Sequence, residues 1–184
     1  TYTVRGCTAG GAMSKSYDRT GVTATVPKAA DDVTLIAARI NGRQIVVTWQ
    51  PANGAHSYVV YRKVTGTNNW AIVANSVTGT SYTDGAAQAG VSYTYTVRGR
   101  GGDGVLSKHY DPAGVTAGIP ANVTLTSATA SGTAITVVWQ PAANAQSYTV
   151  YRKVTGTNNW AIIAKSVEGT LYTDAAVTPG TSYT

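Results

Sequence analysis

Residues 61–72 read Tyr61-Arg62-Lys63-Val64-Thr65-Gly66-Thr67-Asn68-Asn69-Trp70-Ala71-Ile72, and the same order of residues recurs at 151–162. The two copies lie 90 positions apart, and the same spacing relates Trp49 to Trp139. Self-similarity at a fixed period of this size is the signature of tandem structural units. The sequence therefore predicts an array of one small domain.

A second match joins the beginning of the chain to its middle. Thr1-Tyr2-Thr3-Val4-Arg5-Gly6 recurs at 94–99, and Pro27 has its counterpart in Pro120. We therefore divide the chain into residues 1–27, the last strands of one repeat; residues 28–120, a complete repeat; and residues 121–184, the first strands of a further repeat. Thr1, Thr94 and Thr184 occupy equivalent positions.

The complete repeat predicts an all-β fold. Short runs of β-branched and aromatic residues alternate with Gly, Pro and Asn, and no stretch keeps a helical period. Gly101-Gly102-Asp103-Gly104 has the composition of a hairpin turn. Seven antiparallel strands of this length suit a two-sheet sandwich. The predicted strands are 33–40, 44–49, 57–63, 70–74, 81–84, 91–99 and 105–110.

Composition limits the classes of function. Charged residues make up only 12% of the chain, and the net charge of +6 is scattered without a basic run, so we predict no nucleic-acid partner. The single cysteine, Cys7, closes no disulfide within the chain and should be dispensable for folding. No run of 18 apolar residues occurs, so no membrane span is predicted.

The residues that build the repeat resemble those of fibronectin type III domains. The resemblance rests on Trp49 followed by Pro51, on Tyr58 in the next strand, and on Gly90-Val91-Ser92-Tyr93-Thr94-Tyr95-Thr96-Val97. It implies a tandem array of seven-stranded β-sandwiches, with a tyrosine corner at Tyr93 and Tyr183. It also implies a bacterial secreted or cell-surface protein, and hence an extracellular location. The expected structural core contains Trp49, Tyr58, Tyr93, Tyr95, Trp139, Tyr148 and Tyr183.

Catalysis is not expected. His56 and His109 do not recur in the other copies, and no nucleophile, base and orienting group repeat together. Asp84 and Asp174 follow strands at positions where Asp commonly stabilises a turn. No His or Cys spacing predicts a metal site, and Asp31-Asp32 alone is a poor Ca²⁺ candidate. We predict no catalytic residue, no metal and no cofactor.

The aromatic residues offer one alternative, a surface that binds sugars. Sugar binding needs exposed flat rings beside polar groups, and Tyr61, Trp70, Tyr151 and Trp160 are the candidates for glycan contact. The competing interpretation is that Trp70 and Trp160 pack at an edge of the sandwich, since repetition preserves packing as well as binding.

Three functions follow from this architecture. The first is a structural stalk, adhesin or filament segment outside the cell, because short junctions between repeats favour a semi-rigid rod. The second is a carbohydrate- or cell-wall-binding module. The third is a spacer accessory to a secreted enzyme. Fold resemblance alone does not choose among them.

Each end of the chain lies inside a repeat. Two explanations remain open at this point. The chain is an excerpt of a longer array, or separate copies complete one another head to tail, in a contact that forms a filament when it does not close. Both explanations place residue 184 of one copy beside residue 1 of the next.

Overall fold

The computed structural model describes residues 1–25 and 28–184, and it confirms the predicted all-β class. Pro27, at the predicted first junction, lies outside the described residues. Within the described residues the regular elements are all β-strands, and no helix is long and apolar enough to cross a membrane.

The complete repeat contains seven strands in two antiparallel sheets. The first sheet has the order β1-β2-β5, and the second has the order β4-β3-β6-β7. Such an arrangement buries one face of each sheet against the other. The strands are β1 Leu35–Asn41, β2 Gln44–Trp49, β3 Ser57–Val64, β4 Ala71–Val77, β5 Ser81–Asp84, β6 Ser92–Arg100 and β7 Val115–Gly118.

The core lies between these two sheets. Alternation along β2 turns Ile45, Val47 and Trp49 to the inside, and the three side chains are at most 1% exposed. The ring of Trp49 packs edge-on against Tyr58, with ring centroids 5.4 Å apart. The other buried members of the cluster are Val33, Val60, Tyr93, Tyr95, Val97 and Ile119.

The last strand of the repeat was predicted at 105–110, and that prediction is wrong. Only Leu106 forms an isolated bridge there, with Arg100, and the strand β7 follows later at Val115–Gly118. In the irregular chain between them, the Ser107 carbonyl oxygen accepts a hydrogen bond from the Arg98 side chain at 3.1 Å. Gly114 then turns the chain into β7 with a φ of 62°.

Residues 121–184 repeat the first five strands. The strands β9 and β12 join β8 in one sheet, and β10 pairs with β11 in another. Within this segment only Trp139 and Asp174 are buried, and an open groove runs along its inner face. The strands are β8 Leu125–Ser131, β9 Ala134–Trp139, β10 Tyr148–Arg152, β11 Ala161–Val167 and β12 Leu171–Asp174.

Residues 1–25 form a separate hairpin, which we call the N-terminal hairpin. Two isolated bridges hold it, one between Tyr2 and Val22 and one between Cys7 and Met13. Cys7 is a free, exposed thiol beside the hairpin turn. The apolar side chains of this hairpin are exposed, since no second sheet packs against it.

Candidate functional site

A buried polar network crosses the complete repeat. Asp84 ends β5 with no exposed surface, and its carboxylate oxygen Oδ2 accepts hydrogen bonds from Arg62 Nη1 at 2.7 Å and from the Tyr95 hydroxyl at 2.8 Å. Its other oxygen accepts from the Ala86 backbone N–H at 3.0 Å, which is the predicted turn role. The arrangement pairs a buried charge with three donors, as burial of a carboxylate requires.

The network shifts two ionisation equilibria. Burial, followed by the hydrogen bond to Asp84 and the charge of Asp84, raises the pKa of Tyr95 far above its ordinary value. Burial by itself would lower the pKa of Arg62, but the hydrogen bond and charge of Asp84 outweigh burial and raise it. Both shifts favour the protonated forms of Tyr95 and Arg62, which are the forms that donate to Asp84.

Residues 121–184 repeat two of the three contacts of this network. Arg152 Nη1 lies 2.7 Å from Asp174 Oδ2, and the Ala176 N–H donates to Asp174 Oδ1 at 3.0 Å. The carboxylate of Asp174 thus has the same Arg and backbone donors as Asp84.

The predicted core residues lie in two environments. Trp49, Tyr58, Tyr93, Tyr95 and Trp139 are buried. Tyr148 and Tyr183 are half-buried, because the inner face of their segment is open. Tyr183 still forms the predicted corner, since its hydroxyl is hydrogen-bonded to the Thr178 backbone N–H at 3.1 Å. Hydrogen bonding to Thr178 lowers the pKa of Tyr183.

The four candidate glycan residues also lie in two environments. In the complete repeat Tyr61 and Trp70 are half-buried. Lys63 Nζ lies 4.7 Å from the centre of the Trp70 ring. Tyr110 packs edge-on against the same ring, with ring centroids 6.2 Å apart. In the later copy Tyr151 and Trp160 are each 54% exposed. The Trp70 ring is thus engaged by neighbours, whereas the Trp160 ring is open except for Lys153, whose Nζ stands 5.0 Å from its centre.

The remaining charged candidates pair with neighbours. Asp32 accepts the His109 backbone N–H at 2.8 Å, and its second oxygen lies 3.0 Å from His109 Nδ1. The backbone hydrogen bond from His109 is the main reason why the pKa of Asp32 is lowered. Asp31 lies 3.3 Å from Lys28 Nζ. In the part of the chain that the structure describes, no three His, Cys, Asp or Glu side chains are grouped to hold a metal ion.

Direct contacts also form at the junction between the complete repeat and the next one. Asn144 Oδ1 accepts a hydrogen bond from the Ser92 hydroxyl at 2.7 Å, and Asn144 Nδ2 donates to the Ile119 carbonyl at 3.2 Å. Gly118 makes room for this side chain, since a Cβ there would lie 2.6 Å from Asn144 Nδ2. Sequence reasoning missed Asn144, because its counterpart in the complete repeat is Gly54.

An open groove runs along the inner face of residues 121–184. It encloses about 580 Å³, and its walls are mainly apolar and aromatic. The complete repeat fills the equivalent space with the side chains of β6 and β7. The residues that line the groove include Leu125, Val137, Trp139, Trp160, Asp174 and Tyr183.

Comparison with known proteins gives two curated relatives. Chitinase A1 of Niallia circulans is 33% identical over 157 residues, a match that covers 79% of this chain and 21% of the chitinase. The striated muscle preferentially expressed protein kinase of Danio rerio is 32% identical over 104 residues, or 52% of this chain and 3% of the kinase. The chain thus spans about a fifth of the chitinase and far less of the kinase.

Among solved structures, an Fn3-like protein from Clostridium thermocellum is 28% identical and covers 45% of this chain and 84% of its own, with a TM-score of 0.36. No model of a known protein family matches the chain. Its own strand order, β1-β2-β5 facing β4-β3-β6-β7, together with the tryptophan in β2 and the tyrosine corner, defines the class. The chain is a fibronectin type III-like β-sandwich protein.

Proposed function

We propose that this chain is a non-catalytic spacer of an extracellular protein, a stalk or filament segment in which consecutive sandwiches are held at a fixed orientation. The observation that carries the proposal is the junction contact of Asn144 with Ser92 and Ile119. The close approach of Gly90 to Ala121 across the junction also supports it, since a Cβ on Gly90 would lie 3.2 Å from the Ala121 Cβ. Short, bonded linkers of this kind restrict the motion between domains.

The two curated relatives support a non-catalytic role. One is named a chitinase and the other a protein kinase, so the segment that each shares with this chain does not correspond to a common reaction. The carboxylate of Asp84, which Arg62 and Tyr95 hold, is fully buried and inaccessible to a substrate. The proposed function of the segment therefore depends on its length, on its stiffness and on its ability to display other parts of the protein.

The same chitinase relative supports an extracellular location. Chitin is a polymer too large to enter a cell whole, so an enzyme that acts on it works where the polymer is. A segment that resembles part of such an enzyme is proposed to work outside the cell as well. This relative favours one form of the proposal, in which the chain is a spacer accessory to a secreted polysaccharide-degrading enzyme.

The spacer proposal is tested by measuring the distance between the two repeats. Spin labels are attached at Thr78→Cys and Glu168→Cys, two exposed loop positions, in a Cys7→Ser background. We expect a narrow distance distribution. The variant Asn144→Gly should broaden it, because glycine keeps the positive φ of 63° and removes only the bonding side chain.

The matched control is Asn158→Gly, in an exposed loop of the same segment, which should leave the distribution narrow. A distribution that is already broad in the unsubstituted chain would contradict a fixed junction and with it the spacer proposal.

A second candidate, binding of a polysaccharide, is favoured by the match to a chitinase and by the exposed rings of Tyr151 and Trp160. Its test is sedimentation with insoluble chitin. Retention that Trp160→Ala removes and Trp70→Ala leaves intact would support it, since only the Trp160 ring is largely open. No retention at any concentration would rule out chitin as the ligand.

A further inference from the structure

We infer that residues 108–113, which we call the strap, cover a polysaccharide-binding face of the complete repeat and lift to admit the sugar. This inference rests on the second candidate function, binding of a polysaccharide, and gives that function a site and a mode of regulation. It is carried by the path of the strap, by the face beneath it and by the contact that holds it closed.

The strap crosses the outer face of the four-stranded sheet, the face turned away from the core. It lies between Leu106, which bridges Arg100 at the end of β6, and β7, which pairs with the beginning of β6. Its residue Tyr110 nevertheless packs against Trp70, which directly precedes β4. Since the strand order is β4-β3-β6-β7, the side chain of Tyr110 reaches across β6 and β3 toward the opposite edge of the sheet.

Residues beneath the strap are buried although they face away from the core. Val59, Thr94 and Thr96 alternate with the core residues of β3 and β6, so their side chains point to the outer face. Val59 has no exposed surface, and Thr94 and Thr96 are 4% and 2% exposed. The second face of an antiparallel sheet is commonly solvated. A further layer therefore covers this face, and the strap and the Trp70 ring form that layer.

The covered face has the composition of a sugar-binding site. In the pairing of β3 with β6, Tyr61 lies opposite Thr96 and Lys63 lies opposite Thr94. Lys63 Nζ lies 4.7 Å from the centre of the Trp70 ring. Aromatic surfaces with a few placed polar groups are typical of ligand sites. The two rings offer surfaces for the C–H face of a sugar, and the hydroxyl and ammonium groups are placed to bond its rim.

The Thr96 hydroxyl is the polar group that most directly indicates a ligand. It is buried and has no hydrogen-bond partner among the described residues, whereas the Thr94 hydroxyl bonds with those of Thr65 and Thr116 at 3.0 and 3.2 Å. A buried hydroxyl without a partner costs free energy in the closed state. A sugar hydroxyl that bonds with Thr96 removes that cost, so the ligand favours the lifted strap.

Asp32 is the latch that holds the strap closed. One of its carboxylate oxygens accepts the His109 backbone N–H at 2.8 Å, and the other lies 3.0 Å from His109 Nδ1. Both side chains are exposed, so water competes for these contacts. The anchor before the strap is firm by comparison, since Ser107 is fully buried and its N–H donates to the Gly99 carbonyl at 2.7 Å. Release of Asp32 therefore lets the strap lift while the core stays in place.

Removal of the latch tests the movement. The variant Asp32→Ala is made in a Trp160→Ala background, so that Trp70 is the accessible tryptophan, since Trp49 and Trp139 are buried. We expect acrylamide to quench the fluorescence of Trp70 more strongly in this chain than in Trp160→Ala alone.

Binding is measured by sedimentation of the same chains with insoluble chitin. We expect Asp32→Ala to raise the apparent affinity about fivefold over Trp160→Ala alone, because loss of the latch raises the open fraction of the strap. Tyr110→Ala should raise it as well, since it removes the ring that packs on Trp70. Trp70→Ala, added to the unlatched chain, should abolish retention.

The matched control is Asp31→Ala, which removes the neighbouring carboxylate and the same charge. Asp31 lies 3.3 Å from Lys28 Nζ and pairs with it instead of with the strap. The control should change neither the quenching of Trp70 nor the retention on chitin.

Two outcomes would overturn the inference. One is equal quenching in Asp32→Ala and Asp31→Ala, which would mean that Asp32 does not hold the strap. The other is stronger quenching without retention on chitin, which would mean that the uncovered face binds no polysaccharide of this kind. In either case, retention of the unsubstituted chain that Trp160→Ala abolishes would still support the second candidate function, and the spin-label distances would judge the spacer proposal separately.

Discussion

At the scale of single residues, the chain buries a carboxylate and gives it three donors. Asp84 was predicted to stabilise a turn, and one of its oxygens does accept the Ala86 N–H. Its other oxygen ties β3 to β6 through Arg62 and Tyr95. Buried charges are retained only when they are paired in this way, and removal of a partner leaves an unsatisfied group that costs stability.

Tyr95 should make the stability of the complete repeat depend on alkaline pH. Its pKa is raised in the folded chain, whereas in the unfolded chain the ordinary value of 10.0 applies. The contribution of Tyr95 is therefore fully present below pH 10. It is lost as the pH rises above 10, because the unfolded state then releases a proton that the folded state retains. The loss approaches about 1.4 kcal/mol for each further pH unit.

The measurement is the free energy of unfolding in denaturant between pH 9 and pH 11, for the unsubstituted chain and for Tyr95→Phe. The other tyrosines are common to both chains, so the difference isolates Tyr95. We expect the advantage of the unsubstituted chain to shrink with rising pH. A difference that stays constant over this range would show that Tyr95 titrates alike in both states.

At the scale of elements, the hairpin β6–β7 and the N-terminal hairpin have the same local backbone conformation in different surroundings. Both place a glycine with positive φ before the returning strand, Gly114 at 62° and Gly21 at 59°. A Cβ on Gly114 would lie 2.3 Å from the Tyr95 carbonyl oxygen, and one on Gly21 would lie 2.7 Å from that of Tyr2. The local requirement is the same, but only β6–β7 supports a closed core.

Gly114→Ala should destabilise the complete repeat by about 1–3 kcal/mol, because alanine is strained at this φ and its Cβ meets backbone. Gly21→Ala imposes the same local strain on a hairpin that covers no core within its own copy. It should leave the unfolding transition of the complete repeat in place. Denaturant melts followed by tryptophan fluorescence compare the two. Equal shifts for both variants would contradict the assignment of separate roles.

At the scale of the whole molecule, burial is concentrated in the complete repeat. Nearly all buried residues lie between Ala30 and Ile119, residues 121–184 add only Trp139 and Asp174, and residues 1–25 add none. Segments with few buried contacts open locally at low free-energy cost. Stability should therefore be distributed unevenly along the chain.

Limited proteolysis with a protease of broad specificity should reveal this distribution. We expect a resistant fragment close to residues 28–120, with the flanking parts cut first. Mass spectrometry gives the fragment ends. Cleavage within 28–120 at the same rate as in the flanks would contradict a single well-packed unit.

Sequence by itself was sufficient for the repeat, the all-β class and most strand positions, because period, alternation and turn residues are local properties. β2 and β5 have the predicted bounds, and Trp49, Tyr93 and Tyr95 are buried as the alternation indicated. Tertiary structure alone decided the path of the chain after residue 104, where the Arg98 side chain binds the Ser107 carbonyl oxygen. It also decided which groups form hydrogen bonds with Asp84 and Asn144. These contacts join residues far apart in the chain or in different repeats, and no local pattern encodes which distant group a side chain reaches. The same physical reason explains the different exposure of Trp70 and Trp160, which have identical neighbours in the sequence. Trp70 packs against Tyr110, whereas Trp160 is exposed beside an open groove.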